Sequence, residues 1–169
     1  MRIGYGYDVH RLKQGRRCVL CGVEIPCGFG PDGHSDADVP IHALMDAMLG
    51  ALALGDIGKH FPDSDDKWKN ADSTQMLKDV YSMVCERGYA LGNADVTIAL
   101  ESPRLMPYIE RMRAAIAGVL DTDVERISVK ATTEEKLGYI GDGSGIASMA
   151  VVLLEPSPPV DPNFHCKSM

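Results

Sequence analysis

Residues 2–10, RIGYGYDVH, alternate without a break: Ile3, Tyr5 and Tyr7 fall on one side, and Gly4, Gly6, Asp8 and His10 on the other. A period of two is the mark of a β-strand, whose alternate side chains project from the same face. Asp8 and His10 therefore stand side by side in what otherwise reads as a buried strand. Alone, such a pair is equally a strand-end ion pair or two polar residues facing water. It acquires chemistry only with a third partner.

The 169 residues suffice for one domain with a real core. Apolar content of 45% and charged content of 24% are those of a globular chain, and no segment has the length and apolarity of a membrane span. The formal charge of −7 disfavours non-specific nucleic-acid binding, so a polyanionic substrate would need local cations or backbone amides to receive it. The Met start without a basic-then-apolar leader points to bacterial cytoplasm, and a mature plastid protein fits as well. Five cysteines without an export signal read as reduced thiols. Cys18-x-x-Cys21 lies in what reads as a strand, CVLCGVEIP, where residues three apart point to opposite faces. No second such pair completes a zinc knuckle.

That second strand is expected to pair with the first. A Gly/Asp/Ser loop follows, and then a helix capped by Asp38, with Pro40 in its first turn and Gly55 closing it. A long polar loop, GDIGKHFPDSDDKWKNAD, is of the kind that is functional or mobile. Asp72 with Gln75 resembles a capping box for a helix that turns Leu77, Val80, Tyr81 and Val84 inward and stops at Gly88. A strand around Val96 and Ile98, a helix over 104–119, the strand RISVKATT, a Gly-rich turn and the strand IASMAVVLLE complete the pattern. This order predicts an α+β fold, a mixed β-sheet covered on one face by helices. Residues 1–155 form one catalytic domain in this reading. Residues 156–169, rich in proline, form a tail expected to be disordered.

His42, on the helix after the Gly/Asp loop, is the third partner. Two imidazoles and one carboxylate leave a coordination position open, as catalytic zinc sites require, although the same set suits ferrous iron and His42 could equally be a satisfied core histidine. Asp46, one turn later, could accept the free imidazole N–H. His34 and Ser35 precede the helix start, where amides and a hydroxyl can bind an anion. Lys130, Thr132, Thr133, Glu135 and Lys136 cluster at a strand end, where hydroxyls suit phosphate oxygens and Glu135 suits a hard cation.

The segments GYGYDVHRL, GHSDADVPIHALMDAMLGALALGDIGKHFPDSD, ADVTIALESPRLMPYI and VKATTEEKLGYIGDGSGIA, in this order and spacing, closely resemble the 2-C-methyl-D-erythritol 2,4-cyclodiphosphate synthase family of the non-mevalonate isoprenoid pathway. The resemblance runs from Arg2 to about Glu155. It implies a homotrimer with active sites between subunits. The substrate would be 4-diphosphocytidyl-2-C-methyl-D-erythritol 2-phosphate, cyclised with loss of CMP. On matching positions, Asp8, His10 and His42 would hold Zn²⁺ and also face the substrate. His34 and Ser35 would position its phosphate, with His34 and Thr133 counted as catalytic. Asp56, Ile57 and Gly58 would hold the ribose, and Phe61, Pro62, Asp63, Ser64 and Asp65 would line the methylerythritol pocket. The cytidine and its phosphates would fall to Leu100, Glu101, Ser102, Pro103, Arg104, Leu105 and Met106, together with Thr132, Thr133 and Glu134. Glu135 would help hold a second divalent ion, Mg²⁺ or Mn²⁺, and Tyr139 and Asp142 would be further substrate contacts.

Four positions depart from the family pattern. Arg104 stands where lysine is common, Ala37 where glycine is usual, Asp142 where arginine is frequent and Ser144 where glutamate is common. The reversed charge at Asp142 bears on the trimer-axis region and not on the zinc ligands. Two other functions use the same residues: a zinc-dependent phosphoesterase that employs water, and a non-enzymatic trimeric metal- or nucleotide-binding module. The open coordination position argues against the latter.

Overall fold

Strand β1 (Arg2–Gln14) runs past His10 and is the longest strand of a five-stranded sheet. The structure is a computed structural model and describes residues 1–62, 64–68 and 71–157. Strands β2 (Cys18–Leu20) and β3 (Val23–Ile25) pair only with each other, whereas β4 (Phe29–Pro31) returns to pair with β1. The predicted single strand CVLCGVEIP is therefore a hairpin. Cys21 and Gly22 both have positive φ, 52° and 73°, and such a pair makes a two-residue turn whose twist suits antiparallel strands. Because the chain reverses between them, Cys18 and Cys21 are both buried. The thiols of Cys18, Cys21 and Cys27 are free as expected; Cys85 instead is disulfide-bonded.

Helix α1 (Val39–Ala51) follows, then the single turn α2 (Ile57–His60), α3 (Ser73–Glu86), β5 (Tyr89–Ala99), α4 (Ile109–Val119), β6 (Ile127–Thr132), the short α5 (Gly138–Gly141) and β7 (Gly145–Pro156). The sheet order is β4-β1-β7-β5-β6, parallel between β5 and β6 and antiparallel elsewhere. A parallel pair needs a crossover, which α4 provides. The fold is thus the mixed α+β arrangement that the element order predicts. Helix α1 ends before Gly55, because Ala53 turns the chain at φ 57°. Helix α4 starts later than predicted, after a 3₁₀ turn over Met106–Tyr108. Asp72 caps α3 by accepting from Thr74 N at 2.8 Å, but Gln75 reaches Asp79, so only half of the capping box forms. Of the expected disordered tail, 156–169, Pro156 instead closes β7 and Ser157 N donates to Gly88 O, while residues 158–169 lie outside the described residues, as does Asp63.

Helix α1 is buried almost all round. It meets β1 backbone to backbone: a Cβ on Gly4 would lie 1.8 Å from Ala47 O, and one on Gly6 1.9 Å from Ala43 O. The buried side of β1 is hence the Gly4/Gly6 side. Its apolar side is open, with Ile3 72% and Tyr5 61% exposed, which corrects the simple picture of a buried strand.

No rotamer relieves a clash with a carbonyl oxygen. Gly6→Ala is expected to destabilise the protein by about 3 kcal/mol or more. Gly118→Ala on α4, where a Cβ meets nothing within 4 Å, should stabilise it by roughly 0.5–1 kcal/mol. Urea unfolding of both variants checks the pair; equal midpoints would contradict the close approach.

Candidate metal centre and active-site cleft

β1 delivers Asp8 and His10, and the first turn of α1 delivers His42. Asp8 Oδ2 lies 3.2 Å from His10 Nε2 and 3.0 Å from His42 Nδ1. The outer partners of the rings fix which nitrogens carry protons. His10 Nδ1 is 2.7 Å from the carbonyl oxygen of Asp32, which only accepts, so Nδ1 donates. Ser73 Oγ gives its proton to Asp36 in a short hydrogen bond and accepts from His42 Nε2 at 3.0 Å. In both neutral rings the remaining lone pair then faces the Asp8 carboxylate. Three electron-rich atoms converge, all within 4.8 Å of one another, an arrangement able to hold a cation.

Two zinc ligands each about 2.1 Å from one ion at a tetrahedral angle stand about 3.4 Å apart. The observed separations from Asp8 suit such an ion, and the residues present fit a divalent metal. Burial pushes the Asp8 carboxyl up, but hydrogen bonds from His10 and His42, when they carry the protons, outweigh it and hold the group well below the usual carboxylate range. A metal would take the place of those protons.

The walls are set by contacts that the sequence did not reveal. Arg16 ties down the loop after β4, donating to Pro31 O, Gly33 O and Ser35 O at 3.2–3.3 Å. Gly33 lets that loop cross His10, since a Cβ there would lie 2.8 Å from His10 Cε1. Ala37 sits at φ 56° with no exposed surface, a left-handed position that glycine would take without strain. Buried Asp38 accepts from Cys21 N, Gly22 N and Ile41 N, clamping the β2–β3 turn to the start of α1. Asp46 does not reach His42 as expected; it accepts from Ile57 N at 2.8 Å and fixes the start of α2. The Asp36–Ser73 pair orients His42 in its stead. Ser73, at the first position of α3, read only as part of a helix start.

These elements enclose a cleft of about 340 Å³. Of the sequence-predicted residues it brings together Asp8, His10, His34, Ser35, His42, Ile57, Gly58 and Phe61. Trp68 and Met76 line it too, the Trp68 ring meeting Phe61 edge-on at 4.8 Å; a lone tryptophan in a polar loop was the available signal. His34 Nε2 is enclosed and has no hydrogen-bond partner among the described residues. Asp56 caps α2 through Lys59 N, and Ser64 and Asp65 are exposed.

The other predicted residues form a separate ledge where β5 and β6 end side by side, joined by Leu100 N to Thr132 O at 3.0 Å. Leu100 and Leu105 are buried, whereas Arg104, Met106, Thr132, Thr133, Glu134 and Glu135 are exposed. Glu101 is held by Lys136, and Thr133 Oγ1 donates to Glu135 at 3.0 Å. Glu135 is not among the metal-ligating cluster, which among the described residues is Asp8, His10 and His42. Tyr139 meets Tyr7, hydroxyl to hydroxyl at 2.9 Å, and Asp142 accepts from Ser144 N. None of the ledge residues lines the cleft of the same chain.

Residues 1–155 of this α+β domain match the model of the YgbB family. The chain belongs to that family, the 2-C-methyl-D-erythritol 2,4-cyclodiphosphate synthases, which are lyases. It is 57% identical over 154 residues, 91% of this chain and 96% of the relative, to the synthase of that name from Clostridioides difficile. It is similar to the bifunctional IspDF from Campylobacter jejuni, with a TM-score of 0.89 and 46% identity, over 92% of this chain but 42% of that longer one. A synthase structure in a CDP-bound form superposes with a TM-score of 0.84 at 39% identity, covering 91% of this chain and all of that one.

Removing His42 takes away one of three ligands, so His42→Ala should lose stoichiometric metal while remaining folded. Ser73→Ala should keep the ligands but weaken metal binding about 10–100-fold, because it leaves His42 Nε2 only the longer contact with Ser35 Oγ, at 3.2 Å against 3.0 Å to Ser73 Oγ. Metal titration beside circular dichroism measures both. Undiminished affinity in Ser73→Ala would contradict the orienting role.

Proposed function

We propose that this protein converts 4-diphosphocytidyl-2-C-methyl-D-erythritol 2-phosphate into 2-C-methyl-D-erythritol 2,4-cyclodiphosphate and CMP. The observation that carries this reading is the convergence of Asp8, His10 and His42 beside a cleft of about 340 Å³ that His34 and Ser35 also line. A divalent ion on the three ligands, zinc in this reading, supplies positive charge for a phosphate oxygen. An oxygen of the substrate's 2-phosphate attacks the β-phosphorus, and the bond from that phosphorus to the oxygen of the leaving CMP breaks. The nucleophile is already ionised and tethered, so no general base is assigned; the protein's work is to hold an in-line geometry.

The unpartnered His34 Nε2 supports a hydrogen bond from His34 to the 2-phosphate, with Ser35 beside it. The α2 turn and the Phe61–Trp68 wall, together with Pro62, Ser64 and Asp65, cover the methylerythritol part and exclude water. Residues 100–106, with Thr132, Thr133 and Glu134, bind the cytidine and its phosphates. Thr133 acts on the diphosphate, and Glu135 carries the second divalent ion, Mg²⁺ or Mn²⁺.

A homotrimer completes the site. One chain keeps its ledge out of its own cleft, and the open face of Ile3, Tyr5, Tyr7 and Val9 supports a partner surface. A cyclic assembly brings one subunit's ledge to the next subunit's cleft.

Turnover in oxygen-18 water should give equal amounts of CMP and an unlabelled cyclic product; a labelled, linear phosphate would favour the phosphoesterase instead. Tyr5→Glu, which puts charge on the open face, should dissociate a trimer in sedimentation and remove activity while metal stays bound. A fully active monomer would refute the shared site. Glu135→Gln should raise the Mg²⁺ or Mn²⁺ needed for activity without changing zinc content.

A further inference from the structure

The ledge where β5 and β6 end carries an enclosed charge. The Glu101 side chain is 11% exposed, against 79% for Lys136, whose ammonium lies 2.5 Å from Glu101 Oε1. The other oxygen, Oε2, is enclosed without a hydrogen-bond partner among the described residues. The same side chain lines a pocket of about 250 Å³ whose other walls include Leu12, Gln14, Phe29 and Asp142. Arg104, Met106, Thr132 and Thr133, by contrast, are exposed. A carboxylate so placed depends on its cation, because removing one partner of an enclosed pair leaves the other charge uncompensated. The hydrogen bond from Lys136 holds the Glu101 carboxyl below the usual carboxylate range, and the backbone amides of Lys136 and Glu134 pull the same way.

Lys136 belongs to a strained turn. Leu137 N donates to Glu134 O at 2.8 Å, and the two residues between them, Glu135 and Lys136, have φ of 51° and 67°. Positive φ at both central positions is the type I′ pattern, which glycine, asparagine and aspartate normally supply. A glutamate and a lysine hold that left-handed backbone when the surroundings impose it. Two contacts do so here. A Cβ on Gly141 would lie 2.3 Å from the Lys136 carbonyl carbon, so α5 packs directly on the turn. From the segment after β5, Glu101 takes the Lys136 ammonium.

The turn sets what the ledge presents. Thr133 immediately precedes it and donates from Oγ1 to Glu135 Oε1 at 3.0 Å. Leu100 N, next to Glu101, donates to Thr132 O across the strand ends. The ion pair therefore ties the two halves of the ledge, residues 100–106 and 132–136. We propose that Glu101 serves the ledge as a positioning residue and not by touching substrate: through Lys136 it fixes the 134–137 turn, and with it the Thr132–Thr133 strand end that receives the nucleotide. The inference rests on the cytidine reading of the ledge.

The test uses the full chain. Hydrogen exchange of the Leu137 amide, followed by NMR, reports the turn without any ligand, and calorimetric titrations with CDP and with zinc accompany it. Glu101→Ala should speed that exchange and weaken CDP binding, each about tenfold, with zinc affinity unchanged because Asp8, His10 and His42 are untouched. Lys136→Met, which leaves Glu101 in place, should reproduce both effects. Glu101→Gln, which keeps an acceptor oxygen for the ammonium, should restore most of each. Exchange at the wild-type rate in Glu101→Ala overturns the tie, whether or not the substrate reading stands. CDP affinity lost in Glu101→Ala but kept in Lys136→Met makes Glu101 a direct contact and overturns the positioning role. If the unmodified chain binds no CDP, the substrate reading fails and the exchange measurement alone decides the tie.

Discussion

Strand β1 approaches helix α1 so closely at Gly4 and Gly6 that the carbonyl oxygens of Ala47 and Ala43 fill the space where methyl groups would stand. Everything at the candidate metal centre depends on that distance. Asp8 and His10 lie two and four residues beyond Gly6 on the same face, and His42 immediately precedes Ala43. With ordinary side chains between strand and helix, the ligands on β1 and the ligand on α1 would be held apart. The extra unfolded-state freedom of two strand glycines costs about 1 kcal/mol each, and the contact offsets it by placing three ligands without flexible loops.

Around this contact the polar groups are buried and paired. Asp38 has no exposed surface, and burial pushes its carboxyl up to about 7 against the pull of the Gly22 and Cys21 amides. Losing either amide would leave a buried acceptor unsatisfied, so the hairpin turn and the helix start are held as one unit. Asp36 and Ser73 do the same for the start of α3, and His42 lies between the two units. The ring is consequently oriented from behind, as metal-bound imidazoles commonly are.

The open side of the sheet carries the other half of the design. Its tyrosines and branched residues would be core in a two-layer domain, yet they face outward while the ledge of Thr132, Thr133 and Glu135 stands away from the cleft. An apolar face and an unfinished pocket on one chain have a common physical remedy, a second copy of the chain. In the proposed homotrimer, that remedy would also let a protein with a formal charge of −7 bring cations and amides from two chains to one polyanion.

By itself the sequence determined the strand alternation of residues 2–10, the Asp38 and Asp72 helix starts, the α+β order, and the ligand types at Asp8, His10 and His42. These are local: periodicity and capping act within a few residues and survive any arrangement of the rest. Only the tertiary structure decided which face of β1 is covered, because the approach of Ala43 and Ala47 to two glycines is a contact across some forty residues. It also gave His42 to Ser73 and Asp36 in place of Asp46, which Ile57 claims, and turned CVLCGVEIP back on itself at Cys21 and Gly22. Hydrogen bonds between residues 31 and 37 positions apart, such as that from His42 to Ser73 and that from Ser73 to Asp36, leave no period in the sequence; they exist only once packing has brought their groups together.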